Sequence, residues 1–477
     1  MSTTLYWLRH DLRLHDNPAL ALACRGAEQL LPVFVHPPQD EASPWGFARV
    51  GAHRRAFLAQ ALADLRANLQ ARGSDLLECT GAPQMVLPAI AQALGAVRIV
   101  CEDIAAPYEQ AEVAALRAAG LAVQTVWQSS LLCPADLPFA IDALPQVFTQ
   151  FRQAVERAAV QPPAPLPTPQ ALPPLPLPSG MDLGSKQAPA LIQKALAAIK
   201  PEANVVPNQA LAAGAADVGL KQPPAPVQKA QAAIKTGVDA APLHDPRSSF
   251  PYATPACHGG ETAALAHLRQ YLARKLPHSY KQTRNGLMGL DYSSKFSPWL
   301  ATGALSARQV MAELRAFEDQ HGANDGTYWL WFELLWRDHF RFRHLQHGAA
   351  LYRARGLGAA PLPPHNAAGF AVWRRGDTGQ SLVDAGMREL AATGYLSNRL
   401  RQIVASYLLH DLGGDWRAGA AWFEAQLLDY DTYSNQGNWL YVAGRGTDPR
   451  GGRRFNPDKQ THDHDADGQY RRLWGTA

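Results

Sequence analysis

Residues 97–127 read VRIVCEDIAAPYEQAEVAALRAAGLAVQTVW. Two runs rich in Val, Ile and aromatic side chains, VRIVCE (97–102) and AVQTVW (122–127), flank a segment with apolar residues at helical spacing, so the stretch predicts strand, helix, strand. The alternation extends back towards the N-terminus. LYWLR (5–9) and LLPVFV (30–35) predict two more strands, and HRRAFLAQALADLRANLQ (53–70) carries Leu at helical intervals. Strands alternating with helices imply a parallel, doubly wound α/β sheet. No GxGxxG follows the first strand, which argues against a nicotinamide dinucleotide in this domain.

At 477 residues the chain exceeds one ordinary core, and two domains are expected. A content of 47% hydrophobic and 18% charged residues suits a globular protein with a large interior. No run approaches the roughly 20 apolar residues of a membrane span. The N-terminal apolar run is followed at once by Arg9, Asp11, Arg13 and Asp16, which is not a signal-peptide layout. A cytoplasmic monomer is the simplest expectation. Five scattered cysteines without a CxxC support neither a disulfide framework nor a metal site. Residues 251–477 hold 26 Lys and Arg against 21 Asp and Glu, a modest basic bias compatible with nucleic-acid contact.

QPPAPLPTPQALPPLPLPSG (161–180) is too rich in proline for helix or central strand and reads as an extended linker. Beyond it, APALIQKALAAIKPEANVVP (188–207) and APVQKAQAAIKTGVDAAP (225–242) resemble two copies of one Ala/Lys-rich unit, read as low-complexity linker. From about residue 250 the sequence turns helical and aromatic. ALSARQVMAELRAFEDQ (304–320) opens with a capping-box pattern, Ser306 and Gln309. The expected organisation is an α/β domain over 1–135, a linker over 136–250 and an all-helical domain over 251–477.

Four stretches of the second half carry chemistry. In DYSSKFS (291–297), hydroxyls and backbone amides crowd a turn before Pro298, an arrangement that can hold phosphate. In WFELLWRDHFRFR (331–343), Glu333 shares a helix face with Trp336 and can pair with Arg337. In SNRLRQIVASYLL (397–409), Asn398 and Gln402 project from one side, and Arg399 or Arg401 can pair with Asp429 or Asp431 of LLDYDTYSNQGNWLYVAG (427–444).

Together with LYWLRHDLRLHDNPAL (5–20), YKQTRNGLMGLDYSSKFSPWLATG (280–303), TGYLSNRLRQIVAS (393–406) and LLDYDTYSNQGNWLYVAGRGTDPR (427–450), these motifs resemble the photolyase and cryptochrome flavoprotein family, specifically its DASH-type cryptochromes. The resemblance spans almost the whole chain outside residues 161–246. It implies an α/β domain for an antenna pigment and a helical domain that holds FAD. By position, Tyr280, Ser293, Ser294, Phe296 and Ser297 would grip the FAD phosphates and ribityl chain. Arg401 and Asp429 would pair along the isoalloxazine, Asp431 would meet its polar edge, and Asn435 would face N5.

The same resemblance implies that Glu333 and Trp336 meet a cyclobutane pyrimidine dimer, with Asn398 between flavin and lesion. Gln402 and Tyr441 stand where double-strand-specific photolyases carry Met and Trp, which favours single-stranded DNA as substrate. Trp416 and Trp439 match the inner members of the family's photoreduction chain. The position of the outer member falls in PLPPHN (361–366), which has no Trp, and Trp373 or a tyrosine would stand in. Arg341, Arg343, Arg399 and Arg445 are candidate DNA-phosphate contacts. Glu109 would hold the pterin of a 5,10-methenyltetrahydrofolate antenna. The implied function is light-driven repair of pyrimidine dimers in single-stranded DNA, and the alternative is a blue-light photoreceptor that binds FAD and DNA without repair.

Overall fold

A computed structural model describes residues 2–38, 41–176, 190–197, 245–448 and 451–475. The second Ala/Lys-rich unit (225–242) lies outside the described residues, and the first is described only over 190–197. Five parallel strands form one sheet in the order β3-β2-β1-β4-β5: β1 Thr3–Leu8, β2 Gln29–His36, β3 Leu77–Thr80, β4 Ala96–Glu102 and β5 Val123–Val126. Four of these match the expected strands. The short LECT strand, β3, was not anticipated, because four residues with alternating Glu and Thr lack the apolar run that marks the others. Helices α1 Pro18–Cys24, α2 Ala52–Gln70, α3 Pro83–Leu94 and α4 Pro107–Ala118 alternate with the strands, and apolar clusters cover both sheet faces.

After α5 (Phe148–Arg157) and α6 (Ala190–Ala197) the chain is helical: α7 Glu261–Ala273, α8 Tyr280–Thr283, α9 Ser297–Thr302, α10 Ala307–His321, α11 Asp325–His347, α12 Ala367–Arg375, α13 Ser381–Thr393, α14 Asn398–His410, α15 Trp416–Gln426, α16 Thr432–Val442, α17 Pro457–His464 and α18 Gln469–Trp474. The 23-residue α11 starts at a reciprocal capping box, Asn324 with Thr327. Ser306 caps α10 through the Arg308 N–H, but Gln309 bonds Glu313, so the expected box at 306–309 is only half formed.

The loop after β1 is buried against the helical part. Glu261 accepts hydrogen bonds from the backbone N–H groups of Leu14 (2.9 Å) and His15 (2.8 Å), and Arg308 pairs with Asp16 at 2.7 Å. Gly303 (φ 71°) sits so close to the His10 carbonyl that a Cβ there would lie 1.9 Å from the oxygen, so only glycine allows this approach. Asp338 on α11 accepts from the Leu131 and Leu132 N–H groups at 2.9 and 2.7 Å. Among the described residues no helix is long and apolar enough to cross a membrane, and no group of three or more His, Cys, Asp or Glu could hold a metal ion.

Candidate functional site

The segment that ends α15 and begins α16 walls a cavity of about 630 Å³, counting its open mouth, whose opposite side is α14. Asn398, Arg401 and Gln402 line it from α14; Asp429, Asp431, Asn435, Asn438, Trp439 and Tyr441 line it from the other side. Arg401 pairs with Asp429 at 2.8 Å. Burial works against the Arg401 charge, yet the facing carboxylate holds its pKa above the ordinary value. The second carboxylate oxygen of Asp429, Oδ1, is buried without a hydrogen-bond partner, an acceptor left for a ligand N–H.

Asp431 does two jobs. Its Oδ1 caps α16 by accepting from the Ser434 N–H at 2.7 Å, and its Oδ2 pairs with Arg341 at 2.8 Å. Burial alone would lift this carboxyl, but Arg341 and then Arg337 outweigh it and bring the pKa down to about 2. This corrects the expectation for Arg341: only 4% exposed, with its guanidinium 4.4 Å from the centre of the Tyr433 ring, it is a counter-ion inside the protein and cannot meet DNA phosphate. Arg399 stays half-buried at the cavity rim, donating to Gln402 and Asn285 at 3.2 and 3.0 Å.

The Ser293–Ser297 turn does not line this cavity. Lys295 adopts φ 58°, which buries its side chain and leaves Ser293 and Ser294 half-buried and Ser297 exposed at the start of α9. The Lys295 ammonium lies 3.2 Å from the Tyr292 ring centre, without a hydrogen-bond partner, and burial drives its pKa far down. Phe296 is buried beside Tyr271, and Tyr280 packs near Arg284 and Glu333.

Glu333 does not pair with Arg337. It binds Arg284, while Arg337 donates to the backbone carbonyls of Ser129 and Leu300. Burial raises the Glu333 pKa, opposed by Arg284. Trp336 stacks on Phe148, ring centres 3.8 Å apart at 13°, and lines a second cavity instead of the first; Tyr441 borders both. The Phe148 contact and the pairing of Arg341 with Asp431 escaped the sequence reading, since partners 188 and 90 residues away leave no local signal.

Trp439 is buried, and its ring lies 6.4 Å from that of Trp373, which has no exposed surface. Trp373 therefore cannot be a surface-exposed outer member of a chain. Trp416 is also buried, hydrogen-bonded to the Ala354 carbonyl at 3.0 Å. On α4, Glu109 is half-buried near Arg9 and Arg49, and burial raises its pKa.

Residues 4–170 match the family model for DNA photolyase, and residues 329–476 match that for the FAD binding domain of DNA photolyase. The chain is 42% identical to cryptochrome DASH of Gloeobacter violaceus over 99% of its own length and 85% of that protein, and 42% identical to cryptochrome DASH of Xenopus laevis over 98% and 81%. Its structure is similar to that of the Synechocystis cryptochrome (TM-score 0.82, 38% identity, covering 99% and 88% of the two chains) and to a bacterial class III photolyase from Agrobacterium tumefaciens (0.71, 26%, 99% and 86%). The chain belongs to the photolyase and cryptochrome family, in its cryptochrome DASH branch.

Proposed function

We propose that this protein uses light to repair cyclobutane pyrimidine dimers in single-stranded DNA, with FAD in the cavity between α14 and α16. The observation that carries the reading is that Arg401, Asp429, Asn435, Asn398, Gln402 and Tyr441 share one cavity, so a flavin wall and a lesion pocket adjoin. The cavity suits a flavin ring, since Asp429 Oδ1 offers it a buried, unpartnered acceptor, and the hydroxyls of Ser293, Ser294 and Ser297, outside the cavity, would take the FAD phosphates. Bound there in reduced form, FAD would lend an electron on excitation, which opens the dimer and returns to the flavin once the ring has split.

The protein's own work is binding and orientation. Arg401 and Asp429 hold the wall rigid, while the Asp431 charge, neutralised by Arg341, fixes the start of α16 and so Asn435. Asn398 lies between the flavin and the lesion. Glu333, whose raised pKa favours the acid form, donates a hydrogen bond to the lesion carbonyl, and Trp336 supplies a stacking face. Gln402 and Tyr441 form a polar pocket that repays little of the cost of flipping a paired base, so single strands are preferred. Arg399 contacts DNA phosphate. Trp439 and Trp416 relay electrons to the flavin, and Glu109, which accepts no hydrogen bond from another described side chain, takes a 5,10-methenyltetrahydrofolate pterin. The division of labour follows residues 1–135 for the antenna, 136–250 for the linker and 251–477 for flavin and DNA, in a monomer.

The second reading, a blue-light photoreceptor that binds DNA without repair, is favoured by two observations: Glu333 is engaged by Arg284, and Phe148 covers one face of Trp336. The deciding experiment measures blue-light-dependent loss of a thymine dimer from a single-stranded oligonucleotide, against dark and duplex controls. Repair on the single strand is expected. Its absence with reduced, flavin-loaded protein would move the function to the photoreceptor.

A further inference from the structure

Helix α6 (Ala190–Ala197) lies against α3 (Pro83–Leu94) of the α/β domain. Ile192 has no exposed surface and joins the apolar cluster that holds Val86, Leu87, Ile90 and Ala91 of α3, while Gln193 and Lys194 are exposed. Eight residues are too few for a stable helix in water, so the seat on α3 is what holds α6 in place. The expectation of a low-complexity linker therefore fails over 190–197. Leu175 packs against the same cluster, and the Pro174 carbonyl accepts from the Leu30 N–H at 3.0 Å, so the insert is anchored beside the seat before it reaches α6.

The chain carries the sequence of this seated segment twice. Residues 182–200 read DLGSKQAPALIQKALAAIK, and residues 217–235 read DVGLKQPPAPVQKAQAAIK. The two align without a gap at an offset of 35 residues and are identical at 13 of 19 positions. The identities include Asp, Gly, Gln and Pro, which a bias towards Ala and Lys does not by itself reproduce. Val227 stands where Ile192 stands, and Ala230 and Ile234 match Ala195 and Ile199, so the second unit repeats the i, i+3, i+7 apolar spacing of the first. Gln228 and Lys229 match the exposed Gln193 and Lys194. Two departures make the second unit the weaker ligand. Gln231 gives up the apolar side chain of Leu196, and Pro226 replaces Leu191, although it matches the second residue of α6, a first-turn position that tolerates proline.

We propose that the outer face of α3 is a docking site for which the chain carries two ligands, and that residues 217–235 of the same chain take the seat when α6 leaves it. Both units offer one β-branched aliphatic side chain to the cluster and small alanines around it, so one seat serves either. The anchor at Leu175 tethers the insert beside the seat, which keeps the second unit at high effective concentration there and favours it over a second copy of the chain. Exchange alters the connection between the two halves of the protein. With α6 seated, residues 198–244 join the seat to the helical half; with the second unit seated, only residues 236–244 do.

The test is hydrogen exchange of full-length, flavin-loaded protein read by mass spectrometry, in the parent, in Ile192→Asp and in Ile192→Asp combined with Val227→Asp. In Ile192→Asp, residues 225–235 should exchange at least about tenfold more slowly than in the parent, since burying one aliphatic side chain favours docking by that factor or more. Adding Val227→Asp should abolish the slowing. No slowing in Ile192→Asp, or slowing that survives Val227→Asp, would overturn the shared seat, and slowing that fades on dilution would overturn the same-chain occupant in favour of a second copy. A fluorescein-labelled peptide of residues 217–235 gives an independent reading by anisotropy. It should bind the double variant, an unlabelled peptide of residues 182–200 should displace it, and a Val227→Asp peptide should bind at least about tenfold more weakly. Absence of binding or of displacement would overturn the seat. If either variant loses protection of the sheet strands and so fails to fold, the peptide is titrated into the parent instead: faster exchange of residues 190–197 is expected, and unchanged exchange there at saturating peptide would overturn the exchange.

Discussion

Asp431→Asn separates the two jobs of one side chain. Asparagine still caps α16, because its amide oxygen can accept from the Ser434 N–H as the carboxylate does, whereas the charge facing Arg341 disappears. The carboxyl pKa lies at about 2 in the folded protein against an ordinary 3.8. At 1.36 kcal/mol per pH unit, that difference corresponds to about 2.5 kcal/mol of stability at neutral pH. Asp431 and Arg341 are both buried, with 10% and 5% of their side chains exposed, so solvent screening takes little from this figure. Leaving Arg341 without its partner carries the cost towards the 3–5 kcal/mol typical of broken buried pairs. With roughly 2–4 °C per kcal/mol for a domain of this size, a cost of about 2.5–5 kcal/mol should lower the melting temperature at pH 7 by about 5–20 °C.

The sign of the pH dependence follows from the depressed pKa. The stabilisation is complete above about pH 4 and is lost as pH falls through about 2; about half remains at pH 3. Thermal unfolding of parent and Asp431→Asn, followed by far-ultraviolet circular dichroism between pH 7 and 3, should show a gap in melting temperature that narrows as pH drops. A gap under 1 °C at pH 7, or one that stays constant down to pH 3, would refute the assignment of this ion pair as a stabilising element of the α16 start.

Three further outcomes are expected. Glu333→Ala should lower single-strand repair about tenfold, the loss of roughly one hydrogen bond at the transition state; in the parent, repair should decline as pH rises past the lifted Glu333 pKa, and a flat profile would remove the role given to its proton. Gln402→Met combined with Tyr441→Trp should raise repair of duplex lesions, and no gain would sink the account of strand preference. Trp373→Phe should slow blue-light reduction of the bound flavin, followed by loss of its oxidised absorbance, because Trp373 is the tryptophan in ring contact with Trp439; an unchanged rate would exclude it from the electron route.

The α/β sheet was legible in the sequence because its buried parallel strands β1, β2 and β4 carry long apolar runs, and β5 carries β-branched Val and Thr. The helical half was legible from aromatic and apolar residues at helical spacing, and the Arg401 and Asp429 pair from the presence of two arginines and two acids in motifs that resemble one family. Local spacing left open which arginine would take which acid, and only the family resemblance named Arg401 with Asp429. Arg399 and Arg401 are neighbours in sequence, and only the turn of α14 sends Arg401 to Asp429 while Arg399 meets Gln402 and Asn285. Likewise, Arg341 has the composition of a DNA contact and becomes an internal counter-ion because α11 packs beside the start of α16. Local pattern determines what an element is, since it depends on residues a few places apart. Tertiary packing decides what each charged or aromatic side chain meets, because a buried charge must find whatever partner the fold brings within reach.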